Sequence, residues 1–160
     1  MNKEVSFLKL KNDETTSEDW ALLRSGLIFS GANVALKGDE LPPDVEDGIL
    51  TALELSNINL GQVDLVVMSA CESGLGETSG EGVFGLQRGF KLAGAHSLMM
   101  SLWKVDDDAT QMLMTNFYQN LMSGQSKQQA LLNAQKFLRE NPRYSNPKYW
   151  AAFILLDALN

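Results

Sequence analysis

The feature that most constrains this chain is a nearly unbroken apolar run, Val63-Asp64-Leu65-Val66-Val67-Met68-Ser69-Ala70, which ends on the sole cysteine, Cys71. A short run rich in β-branched residues predicts a strand covered on both faces of a parallel sheet, because a strand with one wet face would alternate. A glycine-rich segment, Gly74 to Gly82, follows, and then Val83, Leu86, Phe90 and Ala93 recur at helical spacing, with Gly94 as the stop. Ser97 to Trp103 predicts a second buried strand. Asp106, Asp107 and Asp108 stand where a helix macrodipole favours negative charge, ahead of the stripe Ala109, Met112, Leu113, Phe117 and Leu121, with Gly124 as the stop. Ser126 and Gln129 form a capping-box pattern for another helix, whose inner face is Ala130, Leu131, Ala134, Phe137 and Leu138 and which Asn141-Pro142 ends. Tyr149 to Leu156 predicts a last strand.

Upstream, residues 11–19 are polar and aperiodic, as in a surface loop. Leu22 to Ser30 predicts a short strand closed by Gly31-Ala32-Asn33. Pro42-Pro43 makes residues 37–48 an exposed loop, since Pro-Pro blocks both helix and central strand. Thr51 and Glu54 form a capping-box pattern for a helix over Ala52 to Ser56. Alternating strands and helices of this kind predict an α/β fold, a three-layer α/β/α sandwich on a mainly parallel sheet. Residues 1–21 read as a flexible N-terminal segment and residues 22–160 as the domain.

Charge and cysteine content exclude several classes. Lys plus Arg number 13 against 20 Asp plus Glu, a formal charge of −7, which leaves no basic field for a phosphate backbone and argues against nucleic acid as a partner. One cysteine and one histidine build neither an internal disulfide nor a cysteine-based zinc site, so no metal or other cofactor is expected, and a reducing cytoplasm fits best. No stretch approaches the roughly 20 apolar residues that span a bilayer, and Met1 to Leu10 lacks the apolar centre of a signal peptide.

In open α/β sheets the ligand crevice lies beyond the carboxyl ends of the strands. Cys71 sits there, at a strand-to-turn junction suited to a nucleophile whose own N–H forms part of an oxyanion hole. A lone cysteine after an apolar strand is also commonly a small buried hydrophobe, and reactivity needs a base or a positive field.

The wording of the chain carries more. Val63 to Gly76 with its Ser69-Ala70-Cys71-Glu72-Ser73-Gly74 core, Gly80-Glu81-Gly82-Val83-Phe84-Gly85-Leu86, Ala93-Gly94-Ala95, Ser101-Leu102-Trp103-Lys104-Val105-Asp106-Asp107 and Tyr149-Trp150-Ala151-Ala152-Phe153 closely resemble the CHAT family. Ser25-Gly26-Leu27, Gly31-Ala32-Asn33 and Glu46-Asp47-Gly48-Ile49-Leu50 extend the resemblance to about residues 22–156. CHAT domains are caspase-like cysteine peptidases, often fused to tetratricopeptide repeats in bacteria. The resemblance implies a caspase-like fold incomplete at the N-terminus, a protein or peptide substrate, and Cys71 as the nucleophile. It also implies a catalytic histidine in a His-Gly element upstream of Ser25, and this sequence has none. Strand edges left open by the absent units would be available to a second copy or to Met1–Leu10.

His96 is not expected to substitute. A crossover helix returns the chain to the amino edge of the sheet, so His96 should lie on the order of 20 Å from Cys71, whereas a general base must approach to about 3 Å. Without a base Cys71 is expected to be a weak nucleophile, and a catalytically inactive interaction module in a larger assembly is the second reading.

Weaker signals surround the cysteine. Trp103 and Asp106 follow a strand at the carboxyl edge, where by the resemblance they would flank the pocket for the residue before the cut. An acidic pocket would favour Lys or Arg there, while helix capping accounts for Asp106 equally well. Glu72 could orient substrate or face water. Gly74 to Gly82 lacks the Gly-Lys-Ser/Thr ending of a phosphate loop. Met99, Met100, Met112, Met114 and Met122 read as core filling.

Overall fold

The computed structural model describes residues 22–23, 25–42, 45–68 and 81–157. They fall into two compact units, Met1–Asn59 with Ser73–Ala93, and Leu60–Glu72 with Gly94–Asn160.

The first unit is built on a hairpin. Strands β1 (Gly26–Ile28) and β2 (Ile49–Thr51) pair antiparallel, Leu27 opposite Leu50. A Cβ on Gly26 would meet the Leu50 carbonyl at 2.7 Å, so the strands approach closely because position 26 is glycine. The hairpin tip holds a helix absent from the sequence expectations, α1 (Asn33–Lys37), stopped by Gly38 at φ 77°. Thr51 caps α2 (Ala52–Ser56) through both halves of the expected box: the Thr51 N–H donates to Glu54 Oε2 at 2.8 Å, and the Glu54 N–H to Thr51 Oγ1 at 3.2 Å. Helix α3 (Glu81–Leu92) packs on α2, with Leu86, Phe90 and Ala93 buried as the periodicity predicts. Gly89 allows that contact, since a Cβ there would lie 2.8 Å from the Ala52 carbonyl oxygen.

The second unit is a three-stranded sheet in the order β3 (Val66–Met68), β4 (Ser97–Ser101), β5 (Phe153–Asp157). All five residues of β4 are buried, the signature of a strand covered on both faces. Helices α4 (Asp107–Met122) and α5 (Lys127–Glu140) turn back on one another at Gly124, φ 89°, and pack together. Their inner stripes, Ala109, Leu113 and Phe117 facing Ala130, Leu131, Ala134 and Leu138, enclose a core with Met99 and Phe153.

The expectation of a mainly parallel sheet is corrected. Among the described residues only β3 and β4 run parallel (Val66 opposite Leu98), β4 and β5 are antiparallel (Met99 opposite Leu155), and β1 and β2 form a separate antiparallel pair. Connectivity explains this. β4 starts at the edge where β3 starts, whereas the α4–α5 hairpin cancels its own traverse and the chain re-enters at the edge where β4 ended. The architecture is α/β with small sheets of mixed direction.

Smaller corrections share a local cause. Phe137 is 44% exposed, rotated off the stripe that Leu138 occupies, and Met122 is 86% exposed because α4 outruns the core at its last residue. At α5 only half a capping box forms. Ser126 Oγ accepts from the Gln129 N–H, but the Gln129 side chain donates to Asn133 Oδ1 instead of turning back. The last strand starts at Phe153 because Asn146-Pro147 first winds a 3₁₀ turn, Pro147–Tyr149, with Asn146 Oδ1 accepting from the Lys148 N–H at 3.0 Å.

Candidate functional site

The parallel pairing of β3 with β4 gives the second unit a carboxyl edge and an amino edge. Cys71 and Glu72, three and four positions past the end of β3 in sequence, lie outside the described residues, as does the Gly74–Gly80 stretch.

The carboxyl end of β4 is described. Ser101, its last residue, is buried, and its Oγ has no hydrogen-bond partner among the described residues. Leu102 and Trp103 emerge as exposed apolar side chains. The Leu102 N–H donates to the Ala152 carbonyl at 3.0 Å, and the Trp103 indole N–H donates to the Lys148 carbonyl at 3.1 Å. Trp103 is thus fixed by its polar edge while its ring faces solvent. Lys148 Nζ lies 4.6 Å from the centre of the Tyr149 ring, a cation–π contact beside the same loop.

Asp106 caps α4. Its Oδ1 accepts from the Ala109 N–H at 3.0 Å, which is the structural role its spacing allowed, and no bond to its Oδ2 is formed among the described residues. Asp108 Oδ2 pairs with Arg143 at 3.3 Å, both side chains being largely exposed. Of the three aspartates only Asp107 makes no ion pair and caps nothing among the described residues. Of the residues here the structure brings together Trp103 and Lys148, through the indole N–H and the Lys148 carbonyl, while Ser101 and Asp106 belong to the same strand end and the helix start that follows it.

His96 is at the other edge. It immediately precedes β4, its N–H donates to the Val63 carbonyl at 3.1 Å, and its Nδ1 stands 3.8 Å from Asp64 Oδ1 with the ring exposed. Beside it is a cluster that sequence reasoning missed. Lys127, mostly buried, donates from Nζ to the Asp64 carboxylate, to the Asp64 carbonyl at 2.9 Å and to Ser97 Oγ at 3.0 Å. Ser97 in turn donates to Asp157 Oδ1 at 2.6 Å. The Lys127 hydrogen bond holds the Asp64 carboxyl below its ordinary pKa, with the charges of Lys127 and His96 acting in the same direction. One signal was readable in advance: Lys127 is the first residue of α5, where the helix dipole disfavours a cation, so a specific partner had to hold it there.

Among the described residues no group of three or more His, Cys, Asp or Glu side chains could hold a metal ion. What the described residues place at the carboxyl end of β4 is an aromatic ring held by its indole N–H and, at the following helix start, a capping carboxylate.

The chain is similar to tetratricopeptide repeat protein 28 of Homo sapiens and to that of Mus musculus, each 32% identical over 116 residues. The matched region is 72% of this chain and 5% of either relative, so the chain spans a small fraction of their length. The family model for the CHAT domain matches residues 15–158, nearly the whole sequence. The chain belongs to the CHAT domain family.

Proposed function

We propose that this chain is the nucleophile-bearing part of a caspase-like cysteine peptidase module. Cys71 is its nucleophile, and the activating imidazole comes from polypeptide other than these 160 residues. The observation that carries the reading is the parallel β3–β4 pair: both strands end at the same sheet edge, Cys71 follows β3 by three positions in sequence, and Trp103 and Asp106 follow β4. In this reading the Cys71 thiolate adds to a peptide carbonyl, the tetrahedral adduct expels the amine as it takes a proton from the imidazolium, and water hydrolyses the resulting thioester. Trp103 packs against the substrate residue before the cut. The open Oδ2 of Asp106, with Asp107, favours Lys or Arg there. Glu72 orients the peptide backbone. Further strands beside β3 would complete the three-layer sandwich, and tetratricopeptide repeats in the same polypeptide would present substrates.

A second reading, a catalytically inactive interaction module, is favoured by His96. The sole histidine stands at the amino edge beside Asp64 and Lys127, next to the residues that precede β3, whereas Cys71 follows β3 in sequence.

Two measurements separate them. Iodoacetamide labelling of Cys71 in this chain, followed by mass spectrometry, should proceed at the slow rate of an ordinary thiol of pKa about 8.5. In its full polypeptide context, cleavage of Lys- or Arg-containing peptides should vanish on Cys71→Ala. Equal cleavage by both proteins would refute the peptidase reading, and no cleavage by either would favour the second.

A further inference from the structure

We infer that Gln135 guards the outer edge of β5 and keeps a further strand from being added there. β5 has β4 on one side and no strand on the other among the described residues. Such an edge presents a row of backbone groups that pair with another extended chain unless something occupies or covers them.

The register identifies those groups. Ser101 stands opposite Phe153, and the Leu102 N–H donates to the Ala152 carbonyl at 3.0 Å. Bonded and non-bonded pairs alternate along an antiparallel ladder, so Ala152, Ile154 and Leu156 turn their backbone groups toward β4, while Phe153, Leu155 and Asp157 turn theirs outward. The Phe153 carbonyl agrees with this assignment, because its partner comes from outside the ladder. The side-chain amide of Gln135 donates to it at 2.9 Å and to the Trp150 carbonyl at 3.3 Å.

Gln135 lies on α5 beside the stripe of Leu131, Ala134 and Leu138 that faces the core, and it is half-buried. A glutamine on a helix loses rotamer freedom when it is held, and two backbone carbonyls hold this one. With the Phe153 carbonyl engaged, the unbroken run of outward groups shrinks to Leu155 and Asp157, too short to seat a strand of the usual length of about five or six residues. An incoming strand would have to displace the amide first. The guard does not depend on the chemistry of Cys71, and it leaves β3 as the side on which this sheet can grow.

The test is sedimentation of the whole chain at matched concentrations, where the strand available for pairing is β5 of a second copy. Gln135→Leu removes the donor and should raise the weight-average mass by roughly half or more over wild type. Gln135→Lys keeps a donor on a long stem and should sediment as wild type does. Gln128→Leu places the same apolar group at an exposed position of the same helix and should also match wild type, which separates an opened edge from an added leucine. Melting curves verify that each variant is folded. In wild type, NMR should find the Gln135 side-chain amide exchanging with water several-fold more slowly than that of Gln128. The inference is overturned if Gln135→Leu sediments as wild type, if Gln135→Lys associates, if Gln128→Leu associates as strongly as Gln135→Leu, or if the two amides exchange equally fast.

Discussion

The Lys127 ammonium grips Asp64 twice, once at the carboxylate and once at the backbone carbonyl, and reaches Ser97 with its remaining donor capacity. One side chain thereby ties the start of α5 to the residues before β3 and to the first residue of β4. Ser97 passes the connection on to the last residue of β5. Replacing Lys127 with Met should lower the urea midpoint, by a modest amount because the Asp64 carboxylate is exposed and screened by solvent. An unchanged midpoint would show that the cluster is ornamental.

The same contact sets a pH dependence. Because the folded-state pKa of Asp64 is depressed, its contribution is complete above the ordinary aspartate value of about 3.9 and is lost as pH falls through the lower folded value. Wild type should therefore exceed Asp64→Asn in stability at neutral pH and converge on it in the acid range below about pH 4. The carboxylate is exposed, so added salt should shrink the difference. A gap that persisted at low pH and high salt would assign the effect to something other than charge.

Phe117 and Leu113 lie at the centre of the helix–sheet core with no exposed surface. Phe117→Ala should cost about 3–5 kcal/mol through lost burial and the cavity left behind, measured by thermal or urea unfolding. Phe137→Ala, on the neighbouring helix but 44% exposed, should cost far less, although both residues belong to apolar stripes in the sequence.

Gly89 is a mid-helix glycine, where alanine would ordinarily stabilise by roughly 1 kcal/mol. Here the added methyl would press on the Ala52 backbone at 2.8 Å, so Gly89→Ala should instead lower the melting temperature. A rise would mean that α2 and α3 separate freely.

The Ser101 hydroxyl is buried with no partner among the described residues. Removing an unsatisfied buried hydroxyl relieves a desolvation penalty of order 1 kcal/mol or more, so Ser101→Ala should be neutral or stabilising in calorimetry. A clear loss of stability would reveal a partner for this oxygen.

Most of the fold was legible because local rules agreed with one another. The Thr51–Glu54 box, the stops at Gly94 and Gly124 and the inner stripes of α3 to α5 all follow from short-range geometry that neighbouring residues specify. Strand direction was also encoded, in the two consecutive helices before β5, but only the topology of their return makes them readable as a signal for an antiparallel edge. Phe137 and Met122 defeated the pattern because a stripe three residues wide does not tell which flank the core covers. At the candidate site the sequence correctly offered capping as a role for Asp106 and set His96 apart at the head of its strand. The Lys127 cluster escaped because its hydrogen bonds join residues as far as 63 apart in sequence, which meet only when three strands align.

The paired helices between β4 and β5 also decide where this protein can be attached to something else. Since β5 runs back against β4, the chain finishes its last strand at Asp157, next to Ser97, at the end of the sheet opposite Trp103. A reporter or an immobilising handle joined after that strand leaves away from the ring that faces solvent on the far rim. Surface-tethered measurements of ligand capture by that rim can thus be made without the anchor standing in the path of what is being captured.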